Sequence, residues 1–107
     1  MRKESVVYIN GQFLPENQAR ISPFDHGLLY GDGIYETLRV RNQVIFKLDQ
    51  HLDRLFMSAR TVKLAIPMTK EELKEAVTEV IKRNAYKESH IRIVVTSGVG
   101  AGMGLRR

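Results

Sequence analysis

Ile34-Tyr35-Glu36-Thr37-Leu38-Arg39-Val40-Arg41 alternates residue by residue, with Ile34, Glu36, Leu38 and Val40 on one side and Tyr35, Thr37, Arg39 and Arg41 on the other. A period of two is the signature of a strand with two unlike faces. One face is mostly apolar and needs a covering layer, while the other is polar and aromatic. Downstream, Arg41-Asn42-Gln43 turns the chain into Val44-Ile45-Phe46, which predicts an antiparallel hairpin. Asp49 is then placed as the N-cap of a helix running to about Ala65, with Leu52, Leu55, Phe56, Ala59 and Val62 along one apolar stripe. Pro67 forbids its continuation.

A second helix opens at Thr69-Lys70-Glu71-Glu72, where Thr and Glu stand three apart as in a capping box, and it buries Leu73, Ala76, Val77, Val80 and Ile81. A last strand, Ile91 to Thr96, runs into the glycine-rich stretch Ser97 to Gly104. Upstream, Val6-Val7-Tyr8-Ile9 and Gln12-Phe13-Leu14 flank Asn10-Gly11, a two-residue connection suited to a type I′ hairpin. Pro15 ends that strand, Ala19 to Ile21 forms a further short extended piece, and Ser22-Pro23 turns the chain. Residues 25–33 carry three glycines and read as irregular. The sum is an α+β chain: an antiparallel sheet with two amphipathic helices packed on one face, a two-layer sandwich. The opposite face, with Tyr35, Arg39 and Arg92, is either solvated or covered by a partner.

Composition narrows the function. With 107 residues, 43% hydrophobic and 27% charged, the chain is sized for one domain and is unlike a disordered segment. Without cysteine it has neither disulfides nor thiolate metal sites, so a reducing cytoplasm is the expected setting. No apolar signal stretch and no run long enough to cross a bilayer appears, so neither export nor membrane insertion is expected. The net charge of +5 fits nucleic acid, an acidic membrane surface or an anionic small ligand. Its spread among acidic residues, without a basic block, argues against nucleic acid, and two of the seventeen cationic residues are the terminal Arg106 and Arg107. His26 and His51 lack a third ligand at metal spacing, so a zinc site is not expected, and His51 is assigned to positioning the helix start. The glycines from Gly98 to Gly104 lack the GxxxxGK[ST] pattern of a phosphate-cradling loop.

The run Asp25-His26-Gly27-Leu28-Leu29-Tyr30-Gly31-Asp32-Gly33-Ile34-Tyr35-Glu36-Thr37-Leu38-Arg39, followed by Phe46-Lys47-Leu48-Asp49-Gln50-His51-Leu52-Asp53-Arg54-Leu55, resembles the class IV, or fold type IV, pyridoxal-phosphate-dependent aminotransferases. Tyr8-Ile9-Asn10-Gly11, Ile91-Arg92-Ile93 and Gly102-Met103-Gly104 fall in family order. The resemblance is strongest to branched-chain amino acid aminotransferases and covers the chain. It implies that residues 1–107 are an N-terminal small domain, that a larger C-terminal cofactor domain is absent, and that the complete enzyme is a homo-oligomer, usually a dimer. It also implies that the lysine carrying pyridoxal 5′-phosphate lies beyond Arg107, so this chain alone would be inactive.

Carried over by motif, Arg54 in His51-x-x-Arg54-Leu55 resembles the arginine that binds the cofactor phosphate. A guanidinium suits that role because it offers a fixed fork of donors and stays charged. The helix pattern alone places Arg54 roughly 130° from the apolar stripe, turned outward. Tyr30, Tyr35 and Arg39 resemble residues lining the substrate pocket, and Tyr35 and Arg39 share one strand face. Arg92 resembles another substrate-side arginine, with a cross-strand ion pair as the alternative. The implied reaction exchanges an amino group between leucine, isoleucine or valine and 2-oxoglutarate. D-amino acid aminotransferases and aminodeoxychorismate lyases share the same motifs, but D-amino acid enzymes typically place an Arg-x-His trap where this chain has Val99 to Gly104. A stand-alone α+β interaction module is the alternative from another class.

Overall fold

The computed structural model describes residues 4–99. Strand β1 (Val6–Ile9) pairs antiparallel with β2 (Gln12–Pro15) through Asn10 and Gly11, both at positive φ (48° and 90°). This is the backbone an Asn-Gly type I′ turn requires. Ala19 is extended but joins no sheet, so the piece from Ala19 to Ile21 does not become a strand. A 3-10 turn at Glu16–Gln18 precedes it instead. The glycine-rich segment is more ordered than its composition predicts. It forms a short helix α1 (His26–Tyr30), with the Asp25 carboxylate accepting from the Gly27 N–H and Gly31 closing the helix at φ 67°.

β3 (Gly33–Arg41) follows, with Glu36, Leu38 and Val40 buried and Tyr35, Thr37, Arg39 and Arg41 exposed, as its alternation requires. It is the middle strand of a sheet ordered β4-β3-β5. β4 (Val44–Ile45) is only two residues long, after a turn with Asn42 and Gln43 both at positive φ. β5 (Glu88–Thr96) begins three residues earlier than its apolar pattern shows, because it pairs with β3 along its whole length, from Gly33↔Thr96 to Arg41↔Glu88. The β1–β2 hairpin is a separate sheet, so the expected single sheet divides in two.

Helix α2 (Leu48–Thr61) is capped by Lys47 in the left-handed conformation, with no side-chain cap. Asp49 therefore lies within the first turn, and its carboxylate meets Lys74 (3.2 Å) and Lys70 (3.6 Å) of the next helix. The helix ends earlier than Ala65. Leu64 N–H reaches back to Ala59 C=O (2.8 Å) and Lys63 N–H to Arg60 C=O (3.2 Å), with Lys63 at φ 57°, which is a Schellman closure. Leu64 is thereby buried at the end of the stripe, and Val62 is left exposed.

Helix α3 (Lys70–Asn84) has the reciprocal capping box, Glu72 N–H to Thr69 Oγ1 (3.1 Å) and Thr69 N–H to Glu72 Oε1 (2.8 Å). Both helices cover the same face of the β3–β5 sheet. Leu38 and Val40 of β3, Leu52 and Leu55 of α2, Leu73, Val77 and Ile81 of α3, and Ile93 of β5 form one core. The buried Asn84 ties β1 to this layer: its amide accepts from Val6 N–H (2.7 Å) and donates to Val6 C=O (3.0 Å) and Val80 C=O (2.8 Å). The glycines from Gly100 to Gly104, on which the choice against D-amino acid enzymes rests, lie outside the described residues.

Candidate functional site

Glu36 is the one acidic side chain on the buried face of β3, surrounded in sequence by Ile34, Leu38 and Val40. A carboxylate in that position needs cationic or hydrogen-bonding partners. Helix α2 supplies both one turn apart. Arg54 donates Nε–H to Glu36 Oε2 (2.8 Å) and Nη2–H to Oε1 (2.7 Å), a two-point fork, and His51 Nδ1 meets Oε1 at 2.7 Å. The Glu36 side chain is 7% exposed, whereas that of Arg54 is 66% exposed. Glu36 takes Nε and Nη2 of the guanidinium, and Nη1 stands outside this fork on a largely exposed side chain.

The electrostatics follow the geometry. The bond from Arg54 holds the Glu36 carboxyl below the usual glutamate range; burial pulls it the other way, and the His51 bond adds to the lowering. The same bond to Glu36 raises the Arg54 pKa, so the pair is ionised throughout the physiological range. An ionised carboxylate only accepts, which assigns His51 Nδ1 as donor by inference from the bond. His51 was expected to fix the helix start. Its backbone N–H does bond to Lys47 C=O (3.1 Å), but its ring is committed to Glu36. Glu36 itself was not singled out from the pattern, although an acidic residue on an apolar face was the available signal.

The other face of β3 carries a second group. Tyr35 and Arg39 both project there, and the register places Arg92 opposite Thr37, so that Arg92 is the diagonal neighbour of Tyr35. Its guanidinium carbon sits 4.2 Å from the centre of the Tyr35 ring, a cation–π contact rather than an ion pair. Tyr30 ends α1 and packs edge-on to His26, with ring centroids 5.2 Å apart. Tyr35, Arg39 and Arg92 thus share a surface, Tyr30 stands with α1, and Arg54 is on the opposite side of the sheet.

α1 is held against the end of β5. His26 N–H donates to Gly98 C=O (2.8 Å), and Ser97 Oγ donates to the Asp32 carboxylate (2.5 Å). Gly27 makes this approach possible, since a Cβ there would lie 2.3 Å from Thr96 Cγ2. Ile21, Phe24, Leu28, Leu29 and Tyr30, in α1 and just before it, are all at least half exposed. Among the described residues no cluster of three His, Cys, Asp or Glu could hold a metal ion, and no helix is long and apolar enough to cross a membrane.

Residues 33–104 match the model of the amino-transferase class IV family. Among curated proteins, the chain is 48% identical over 94 residues to a putative branched-chain-amino-acid aminotransferase of Methanocaldococcus jannaschii, covering 88% of this chain and 33% of that protein. It is 39% identical over 93 residues to a D-alanine aminotransferase of Staphylococcus haemolyticus, covering 87% of this chain and 33% of that protein. Among solved structures, the branched-chain aminotransferase of the thermophilic archaeon Thermoproteus uzoniensis with norvaline superposes with a TM-score of 0.86 at 30% identity, over 97% of this chain and 37% of that one. The chain spans about a third of the length of the relatives it matches.

Proposed function

The chain belongs to the class IV amino-transferase family, and from that membership we propose that it is the N-terminal small domain of a pyridoxal-phosphate-dependent branched-chain amino acid transaminase. The complete protein would exchange an amino group between leucine, isoleucine or valine and 2-oxoglutarate. In this reading the cofactor's lysine and the larger domain lie outside residues 1–107. The observation that carries the reading is the Arg54 guanidinium, locked at one edge by Glu36 and open at the other. An outward-facing, permanently charged fork is what a phosphate monoester needs.

When bound, the cofactor supplies an electron sink for the carbon bearing the amino group. The chain's own residues bind and orient. Arg54 anchors the phosphate. Arg39 and Arg92 offer cationic donors suited to a carboxylate, and Tyr35 and Tyr30 offer aromatic walls to an aliphatic side chain. Tyr35, Arg39 and Arg92 lie on the sheet face opposite to Arg54, so the phosphate anchor and the substrate face would serve one site only around an edge of the sheet. The exposed apolar side chains between Ile21 and Tyr30 support a covering partner, supplied by the remainder of the protein and by a second copy in a homodimer. The absence of cysteine supports a cytoplasmic setting.

The similarity to D-alanine aminotransferases favours a second reading, use of D-amino acids by the same scaffold. Transamination assays of the complete protein with L-leucine, L-isoleucine, L-valine and D-alanine, each with 2-oxoglutarate, separate the two. Turnover of the branched L-amino acids is expected. Failure with all three overturns the branched-chain reading, and turnover of D-alanine alone replaces it.

A further inference from the structure

We propose that Glu36, backed by His51, is a positioning residue that decides which edge of the Arg54 guanidinium is presented to the cofactor phosphate; the inference rests on the role of Arg54 proposed above. An arginine on an exposed helix face has many rotamers, and a phosphate site built on it would be poorly directed. Here two of its nitrogens are taken by one carboxylate, at 2.8 and 2.7 Å, which fixes the plane of the guanidinium as well as its position. The carboxylate is itself fixed. It stands on the middle strand of the sheet, is almost fully buried, and Oε1 receives a second bond from His51, one helical turn before Arg54. The chain of support therefore runs from a rigid strand through Glu36 to an exposed cation, with His51 bracing the carboxylate from the same helix. Ionisation of Glu36 is secured by its partners against the effect of burial, so the brace holds at neutral pH.

The arrangement has a consequence opposite to that of charge alone. Glu36 neutralises Arg54, so a purely electrostatic view predicts that removing the carboxylate strengthens phosphate binding. A positioning role predicts that it weakens binding, because the outward edge loses its direction while the positive charge remains.

The test compares affinities of the complete, lysine-bearing protein for pyridoxal phosphate and for pyridoxal, which lacks the phosphate. The ratio of the two isolates the phosphate contact. Glu36→Gln keeps the side-chain shape and is expected to lower this ratio on the order of tenfold, the worth of one charge-assisted hydrogen bond, with pyridoxal affinity nearly unchanged. An unchanged or higher ratio overturns the proposal, as does an equal loss for both ligands, which would mark a general structural defect. Arg54→Ala is run in parallel. If it leaves the ratio unchanged, the role of Arg54 itself falls; if it collapses the ratio while Glu36→Gln does not, only the positioning role falls.

A measurement on the unsubstituted protein keeps the proposal testable should Glu36→Gln fail to fold. In the cofactor-free protein labelled with 15N-arginine, the Arg54 Nε–H signal is expected to exchange slowly with solvent, with hindered rotation of the guanidinium. A fast-exchanging, freely rotating Arg54 would overturn the fork.

Discussion

Replacing Gly27 by alanine sets two effects of opposite sign against each other. Gly27 lies in α1 with no positive φ, so in an open helix the change would stabilise by about 0.5–1 kcal/mol through backbone entropy. The added methyl, however, would lie 2.3 Å from Thr96 Cγ2 and 3.0 Å from both Thr96 Cβ and Asp25 Oδ1. Carbon atoms in favourable contact are about 3.5–4.0 Å apart, so α1 and the end of β5 must separate by about 1 Å or more. Overpacking of this kind costs about 1–3 kcal/mol, and the clash is expected to win. Thr96→Ser removes the offending methyl and keeps the hydroxyl that accepts from Gly98 N–H (3.0 Å). It should recover part of the loss in the Gly27→Ala background, the remainder persisting because two 3.0 Å contacts are left. Urea midpoints of the four proteins, followed by circular dichroism, give the coupling directly. A Gly27→Ala protein more stable than the parent, or a loss that Thr96→Ser does not reduce, would refute the close approach of α1 to β5.

Asn84→Ala removes the amide that bonds to both polar groups of Val6, and a loss of about 1–3 kcal/mol is expected. Hydrogen exchange should show the β1–β2 hairpin opening before the β3–β5 sheet; equal protection of the two would contradict the role of Asn84. Glu36 also makes stability depend on pH. Its folded pKa lies below its unfolded value of about 4.3, so its contribution is complete above that pH and is lost as the pH falls through the lower folded value. The stability difference between the parent protein and Glu36→Gln should therefore shrink on acidification below about pH 4.3. A difference constant from about pH 6 to about pH 3 would show that the ion pair does not carry it.

Local pattern determined much of the fold. The Asn10-Gly11 turn and the Thr69–Glu72 capping box are satisfied by neighbours a few residues away, and both appear where their residues place them. The two faces of β3 also follow its alternation, although the partners that cover them lie far along the chain. The family motifs were equally legible, whereas the roles of Arg54, Tyr30, Tyr35, Arg39 and Arg92 come from the resemblance and stand as proposals. Strand alternation was enough to put Tyr35 and Arg39 on one surface.

Tertiary structure decided what depends on distant partners. The start of β5 at Glu88 follows from pairing with Arg41, not from its own composition. The early end of α2 follows from Leu64 folding back over Ala59, which leaves Val62 outside the stripe it belongs to by spacing. Arg54 shows the division most clearly. Helical periodicity turned it outward, and it is outward, yet only packing α2 on β3 brings it to a buried carboxylate eighteen residues away. Periodicity reports which way a side chain faces relative to its own helix. The partner it meets is set by the register between helix and strand, a contact between segments that no local pattern encodes.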